Sequence, residues 1–158
     1  SIEGIDPDTI PKLFYAKGNY YTLTGSNPFN HLIYPVPVAN GLGTHSSMDM
    51  GGQTKFGPDV EWIDDIDYVV DPKRGDSFYA SIRRFWPGLP DGSILPGYSG
   101  IRPNLIGPGG KTLNTDFIIQ GRADHGIEGV VNLYGIESPG LTSSMAIADY
   151  VLERLEQG

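Results

Sequence analysis

A few single polar residues, set in apolar or glycine-rich surroundings, could do chemistry in this sequence of 158 residues. His45 falls in a predicted strand and could serve as a base, because an imidazole titrates near neutral pH. Arg102 lies in an uncharged stretch, where its planar guanidinium could bind a carboxylate with two hydrogen bonds. Tyr34 could line a pocket, and Lys17, which precedes a glycine, could contact an anion. The alternatives are a structural histidine, a buried ion pair, a packing tyrosine and a surface lysine.

The segment 130–155 predicts a strand followed by a helix whose first turn could face an anion. The apolar run 130–136 is typical of a buried strand, and Ser138-Pro139 is typical of an N-cap followed by the first helical residue. Apolar residues then recur at helical spacing, at Leu141, Met145, Ala148, Leu152 and Leu155. The N-terminus of such a helix favours negative charge, and Gly140 would allow close approach to its backbone. A capped helix that packs on a sheet without any ligand is the alternative.

Several familiar motifs are incomplete in this sequence. The stretch 41–46 begins like a dinucleotide-binding fingerprint but lacks the third glycine and a following helix. Gly110-Lys111-Thr112 resembles the end of a phosphate-binding loop, but leucine stands where that loop needs its first glycine. Gly97-Tyr98-Ser99-Gly100 misses the serine nucleophile elbow by one position. The 3 histidines are scattered, so the spacing of a metal site is absent from the sequence.

Composition excludes several classes of partner. The net charge of −8 and the absence of a lysine or arginine run argue against binding to nucleic acid. No apolar stretch reaches the length needed to span a membrane. With no cysteine, the chain has no disulfide, thiolate nucleophile or sulfur-ligated metal.

The first half of the chain predicts strands. Leu13–Thr24 is rich in tyrosine and phenylalanine and predicts a strand or strand pair with a bulge at its glycine. Two prolines keep Leu32–Val38 extended, as an edge strand or an irregular segment. Two further runs, Leu42–Met50 and Gln53–Phe56, flank a Gly-Gly pair and predict a hairpin. We expect Glu61–Asp67 to form an acidic loop.

The second half predicts two helices separated by strands. Asp71-Pro72 repeats the cap-and-proline pattern and predicts a helix over about 72–86. A strand is expected near Tyr98–Arg102, a glycine-rich loop over Ile106–Thr115 and another strand at Asp116–Gln120. With the final strand and helix, this order predicts an α+β fold with a largely antiparallel sheet.

Several stretches, in their order along the chain, resemble the C-terminal portion of FAD-dependent oxidoreductases of the D-amino-acid oxidase superfamily. The resemblance is strongest to the L-2-hydroxyglutarate dehydrogenase-like branch and covers about Lys12 to Leu155. The matching stretches are Lys17–Tyr21, Tyr34–Pro37, Gly43-Thr44-His45, Phe56–Asp59, Gly100-Ile101-Arg102, Asp116-Phe117 and Ser138–Ser144.

This resemblance implies a separate role for each part of the chain. Residues 12–105 would form a substrate-binding sheet, 116–158 would complete the FAD-binding domain, and 1–11 would be the remnant of a preceding segment. Arg102 would bind the carboxylate of a small 2-hydroxy acid or amino acid, and His45 would accept the hydroxyl proton while hydride passes to flavin. The remaining expected site residues are Tyr34 and Lys17 in the substrate pocket, and Ser138, Gly140, Leu141 and Thr142 beside the flavin.

Two departures from the family pattern leave the substrate open, and a third concerns the cofactor. Lys17-Gly18-Asn19 stands where many relatives have Arg-Gly before an acidic residue, and Asp59 stands where asparagine is usual. The strand, GxGxxG turn and helix that hold the pyrophosphate of FAD are absent. We therefore expect the chain to be a piece of an enzyme, without the N-terminal half that binds FAD. By itself it should not hold FAD, and it should self-associate through uncovered surfaces. The alternative is a non-catalytic ligand-binding α+β module of the same ancestry.

Overall fold

The computed structural model describes residues 3–36, 43–109 and 116–156. The chain divides into two compact units, one formed by Tyr15–Arg102 and the other by Ser1–Phe14 together with Pro103–Gly158. Helices and strands are mixed, and β1 with β3, β1 with β4, β2 with β3 and β6 with β7 pair antiparallel, which confirms the predicted α+β class. The assignment of one part to substrate and the other to FAD stays a prediction.

The unit Tyr15–Arg102 is built on a 5-stranded sheet. Strand β2 pairs with β3, β3 with β1, and β1 also with β4 and β5. The predicted hairpin is confirmed, since β2 and β3 are antiparallel neighbours. The predicted strand or strand pair at the start of the chain is a single strand, β1. The strands are β1 Phe14–Leu23, β2 His45–Met48, β3 Thr54–Gly57, β4 Glu61–Ile63 and β5 Ile94–Asn104.

The pairing along β1 changes register between β3 and β4. Tyr21 lies opposite Phe56 in β3, whereas Lys17 lies opposite Glu61 in β4. The stretch 56–61 is therefore one residue longer than the stretch 17–21 that it faces. The cis peptide Gly57-Pro58 lies at this point. The predicted acidic loop is wrong for Glu61–Ile63, because Glu61 approaches a lysine and an arginine whose charges offset its own.

Alternation along β1 produces the core. Residues 17, 19, 21 and 23 are buried, whereas the residues between them are only partly buried. On the buried face Tyr21 packs against Phe78 of the helix α1 (Gly75–Arg83), with ring centroids 4.6 Å apart. Burial of apolar area of this kind is the main force that holds the sheet and helix together. The core consists of Tyr21, Leu23, Phe56, Val70, Phe78, Ile82, Leu89 and Ile94.

Two connecting segments bear on the predictions. The Asp71 side chain accepts a hydrogen bond from the Lys73 N–H and begins a 3-10 turn, so the predicted cap is confirmed. The α-helix that follows ends at Arg83, before the expected end near residue 86. In the extended segment 32–38, Ile33 forms a single bridge with Ser46, and residues 37 and 38 lie outside the described part. Residues 110–115 of the predicted glycine-rich loop also lie outside it.

The other unit contains short elements. A 3-10 turn at Pro7–Thr9 begins at Asp6, whose side chain accepts a hydrogen bond from the Asp8 N–H. Strands β6 (Ile118–Gln120) and β7 (Asn132–Tyr134) form an antiparallel pair. The helices are α2 (Arg122–His125) and α3 (Ser144–Glu156). Among the helices that the structure describes, none has the length and apolar character needed to cross a membrane.

The expected start of the last helix is wrong. The helix α3 begins at Ser144, and the cis peptide Ser138-Pro139 precedes a run of turns. The physical reason is that local hydrogen bonds close these turns, from Gly140 N–H to the Glu137 carbonyl and from Ser143 N–H to the Pro139 carbonyl. Ser138 is therefore not the N-cap of α3.

The last strand is not buried as its apolar run predicted, whereas the exposed apolar side chains of the last helix agree with the expectation of uncovered surfaces. Leu133 and Ile136 are 46% and 38% exposed, and no hydrophobic side chain described in this unit belongs to the buried core. The apolar side chains here face outward, with Leu141, in the turns before α3, 92% exposed and Met145 of α3 78% exposed. Partly buried positions are Ser143 before the helix and 147, 151 and 154 within it. A two-stranded sheet offers too little surface to cover both faces of such a helix.

Candidate functional site

The face of the sheet opposite the core carries a cluster of aromatic and ionisable side chains in the unit Tyr15–Arg102. Tyr20 projects to this face because it follows the alternation of β1, out of phase with Tyr21. Its ring lies against Gly57, where a Cβ would be 2.6 Å from Tyr20 Cδ1. Gly57 is the residue paired with His45 across the hairpin. The hairpin and β1 together bring Tyr20 and His45 to one place.

His45 is enclosed by two tyrosine rings. Tyr34 stacks on the imidazole, with centroids 4.4 Å apart and planes 15° apart, and Tyr20 meets it edge to face at 6.1 Å. His45 is only 6% exposed, whereas Tyr34 is 56% exposed and so covers the histidine. Burial lowers the pKa of His45, partly offset by a hydrogen bond to the Gly43 backbone. The imidazole is therefore mainly neutral at neutral pH, and its Nδ1 has no hydrogen-bond partner among the described residues.

Tyr20 and Tyr98 form a stacked pair beside the histidine. Their ring centroids are 4.5 Å apart and their planes differ by 5°. Burial, together with the neighbouring hydroxyls of Tyr98 and Tyr34, raises the pKa of Tyr20 to about 12. Tyr20 consequently keeps its proton at neutral pH and can donate a hydrogen bond.

Two cations flank the tyrosine pair. The charge of Arg102 lowers the pKa of Tyr20, which places its guanidinium within electrostatic reach of that hydroxyl. Arg102 is exposed and lies in β5, the strand that also carries Tyr98. On the other side, Lys55 Nζ lies 5.3 Å from the centre of the Tyr98 ring and 3.2 Å from Asp49. The structure thus brings together His45, Tyr34 and Arg102 with residues to which sequence reasoning gave no role.

Lys17 lies apart from this cluster, on the core face of β1. Its side chain is 3% exposed and its ammonium donates to the Val69 carbonyl at 2.5 Å and to Asp67 at 3.4 Å. Glu61 lies 3.9 Å from the same ammonium. These contacts join β1 to β4 and to the segment that follows β4. Lys17 therefore forms a structural ion pair.

In the other unit, the expected flavin-facing residues lie in the turns before α3. Residues 136–142 line an open depression of about 410 Å³. Leu141 projects from it almost fully exposed. The described residues of this surface supply no glycine-rich phosphate cradle, so they do not fit the pyrophosphate of FAD. Within the described ranges, no group of three or more His, Asp or Glu side chains is arranged to hold a metal ion.

Sequence reasoning missed Tyr20, Tyr98 and Lys55. A strict reading of strand alternation would have separated Tyr20 from Tyr21, since neighbouring residues face opposite sides of a sheet. The same alternation places Lys55 and His45 on one face, because Lys55 pairs with Ser47, which lies two residues after His45 in β2. No local pattern points to Tyr98, because its position depends on the pairing of β5 with β1.

Comparison with known proteins identifies relatives of the whole chain. The family model described as FAD dependent oxidoreductase matches residues 2–154. The chain is 51% identical to a mitochondrial L-2-hydroxyglutarate dehydrogenase of Arabidopsis thaliana, over 97% of this chain and 34% of the relative. It is 32% identical to a glycerol 3-phosphate dehydrogenase of Caloramator mitchellensis, over 89% of this chain and 28% of the relative. The chain thus spans about a third of the length of the curated relatives it matches.

A solved structure shares the fold. It is the dithionite-reduced L-alpha-glycerophosphate oxidase from Mycoplasma pneumoniae with FAD bound, which superimposes with a TM-score of 0.65 at 22% identity. The match covers 92% of this chain and 37% of the oxidase. Together with the family match, these relationships confirm the resemblance that the sequence motifs suggested. The chain belongs to the family of FAD-dependent oxidoreductases, as part of a protein related to L-2-hydroxyglutarate dehydrogenase.

Proposed function

We propose that this chain forms the substrate-binding part of an enzyme that oxidises a small 2-hydroxy acid, with Arg102 binding the carboxylate and His45 acting as the base. The observation that carries this proposal is the enclosure of His45 by Tyr34 and Tyr20, on the face where Arg102 influences the Tyr20 hydroxyl. FAD, when bound, supplies the acceptor for the hydride that leaves the substrate carbon.

His45 has the properties of a base. Its pKa is lowered by burial, so the imidazole is ready to accept the proton of the substrate hydroxyl at neutral pH. The ring of Tyr34 excludes water from the imidazole, and this strengthens electrostatic interactions inside the site. We assign Tyr34 to this covering role as well as to lining the pocket.

Arg102 and the tyrosine pair would orient the substrate. A guanidinium binds a carboxylate through two parallel hydrogen bonds, which fix its orientation as well as its position. The Tyr20 hydroxyl keeps its proton at neutral pH because its pKa is about 12, so it can donate a hydrogen bond to a substrate oxygen. Lys17 is buried in its own ion pairs, and we therefore propose a structural role for it in place of the expected pocket role.

Ser138, Gly140, Leu141 and Thr142 remain our proposed contacts to one edge of the flavin. Their support is the exposure of this surface and its place within the part of the chain that matches the family. The names of the curated relatives support the substrate class. L-2-hydroxyglutarate and glycerol 3-phosphate are both secondary alcohols that carry an anionic group. The higher identity to the first relative favours a 2-hydroxy acid over a phosphate ester.

The proposal is tested by flavin reduction under anaerobic conditions in the full-length, FAD-loaded protein of which this chain is a part. A 2-hydroxy acid should bleach the oxidised flavin, and His45→Gln should slow this step by about 10²–10⁴-fold, the usual contribution of a general base. His31→Gln is the matched control, because His31 is exposed and lies outside the cluster. Reduction at the parent rate in His45→Gln would refute the role of the base. Carboxylate binding without any flavin reduction would instead favour the non-catalytic binding module.

A further inference from the structure

The carboxylate of Asp59 is held at the junction of β1, β3 and β4. Its Oδ1 accepts hydrogen bonds from the backbone N–H of Asn19 at 2.9 Å and from Asn19 Nδ2 at 3.0 Å. Its Oδ2 accepts two hydrogen bonds from Arg74, from Nε at 2.8 Å and Nη2 at 2.5 Å. Asn19 is fully buried and Asp59 is 16% exposed on its side chain. This is a nearly saturated carboxylate, and such charge-assisted bonds are stronger than neutral ones.

The position of Asp59 explains why its side chain is needed. The register of β1 against its partner changes by one residue across Gly57-Pro58, and a proline has no N–H to offer to the sheet. Asp59 bridges this gap, because its side chain accepts from Asn19 N–H while its own N–H donates to the Asn19 carbonyl at 3.4 Å. The side chain thus replaces a missing carbonyl of the strand ladder. Arg74 ties the bridge to the segment that leads into α1.

This bridge is connected directly to the His45 cluster. Asn19 is followed by Tyr20, whose ring lies on the other face of the sheet against Gly57. A Cβ on Gly57 would also lie 2.7 Å from the Asn19 carbonyl, so the backbone of the two strands is closely packed here. Gly57 is paired with His45. A shift of the Gly57-Pro58 segment would therefore move the surface on which Tyr20 and His45 rest.

We propose that Asp59 and Arg74 are positioning residues for the reaction, which act through the Gly57-Pro58 segment to hold Tyr20 against His45. The inference rests on the proposed function for its effect on the rate, but the geometry is independent of it. The carboxylate network also includes Glu61, which lies 3.5 Å from Arg74 Nε and accepts from Asn19 Nδ2 at 2.9 Å. Arg74 therefore balances two carboxylates beneath the site. The Lys17 ammonium lies 3.9 Å from Glu61.

The direct test is an NMR titration, with labelled histidine and tyrosine, of the full-length enzyme of which this chain is a part. Asp59→Ala removes the carboxylate that accepts hydrogen bonds from the Asn19 N–H and from Arg74. We expect the pKa of His45 to rise toward its ordinary value of 6.5, because a displaced Tyr20 leaves the imidazole more hydrated. The ring-current shifts of Tyr20 and Tyr98 should change in the same variant. In the FAD-loaded protein, kcat should fall by about 10–100-fold with a smaller change in KM.

Arg83→Gln provides the matched control. Arg83 lies at the opposite end of α1 from Arg74 and pairs with Asp91 at 2.5 Å, so its loss should leave the His45 pKa unchanged. Arg74→Lys is the second variant, since it keeps the charge but loses the paired hydrogen bonds, and it serves if Asp59→Ala does not fold. Parent values of the His45 pKa and tyrosine shifts in the folded variants would overturn the inference. A changed His45 pKa with an unchanged kcat would uphold the positioning and refute the role of His45 as base.

Discussion

Gly57 is the point where the hairpin, β1 and the aromatic cluster meet, and its replacement by alanine tests this packing. A Cβ at this position would lie 2.6 Å from Tyr20 Cδ1 and 2.7 Å from the Asn19 carbonyl oxygen. Ordinary van der Waals contacts begin near 3.4 Å, so the Tyr20 ring and the backbone of β1 would have to move apart. The positive φ of 153° at Gly57 adds strain, because L side chains rarely adopt it.

The expected loss of stability follows from these two terms. Backbone strain at such a position costs about 1–3 kcal/mol, and an overpacked group costs a further amount of about 1–3 kcal/mol. We therefore expect Gly57→Ala to lower the free energy of unfolding by about 2–6 kcal/mol. Flavin reduction in the FAD-loaded protein should fall by about 10²-fold, the effect of a displacement near 1 Å in a reacting site.

Gly52→Ala separates strain from packing. Gly52 lies in the turn of the same hairpin and also has a positive φ, of 79°, but a Cβ there would have no atom within 4 Å. This variant should lose only about 1–2 kcal/mol and keep the parent rate of flavin reduction. Chemical denaturation measures both values. Equal losses of stability in the two variants, with equal rates, would show that Gly57 is not packed against Tyr20 as described.

Further predictions concern the cation, the base and the chain itself. Arg102→Met should weaken substrate binding by about 1.5–3 kcal/mol, and Arg102→Lys should recover only part, so unchanged dissociation constants in both variants would refute the assignment. Tyr34→Ala should raise the His45 pKa toward 6.5 in an NMR titration, whereas Tyr34→Phe, which keeps the ring, should not. Because the folded pKa of His45 is depressed, its contribution to stability is complete above pH 6.5 and is lost as pH falls below it. Denaturation curves at several pH values should thus show that acidification lowers the free energy of unfolding less in His45→Gln than in the parent. The purified 158-residue chain should be colourless, inactive and self-associated, and a visible spectrum with sedimentation would reveal a yellow monomer if this is wrong.

Elements fixed by nearby residues were predictable from the sequence. The Gly-Gly pair and the alternating strands around it specify the hairpin of β2 and β3, because a tight turn needs residues that accept unusual backbone angles. Asp71 caps its turn through a hydrogen bond two residues along the chain. Such contacts depend on short sequence separations and leave a clear pattern.

Elements that depend on distant contacts were not predictable in the same way. The acidic run Glu61–Asp67 resembles a loop, and its first residues form a strand only because Lys17 and Arg74, distant in sequence, lie beside Glu61. The Ser138-Pro139 pair fits a helix cap by residue type, but the turns that follow delay α3 to Ser144. In both places residue type alone was an incomplete guide, because the outcome depends on which hydrogen bonds compete.

The candidate site follows from the two faces of a single strand. One face of β1 carries Tyr21 into the core, and the sequence predicts that a run so rich in aromatic residues should pack. The other face presents Tyr20, whose surroundings are set by the hairpin through Gly57 and by β5 through Tyr98. The chemistry of His45 therefore depends on the register of three strands at once. A one-residue slip would send Tyr20 into the core and expose Tyr21 in its place. The Asp59 bridge lies where that slip would begin, so the residues that secure the fold at this junction are also those that we expect to align the site.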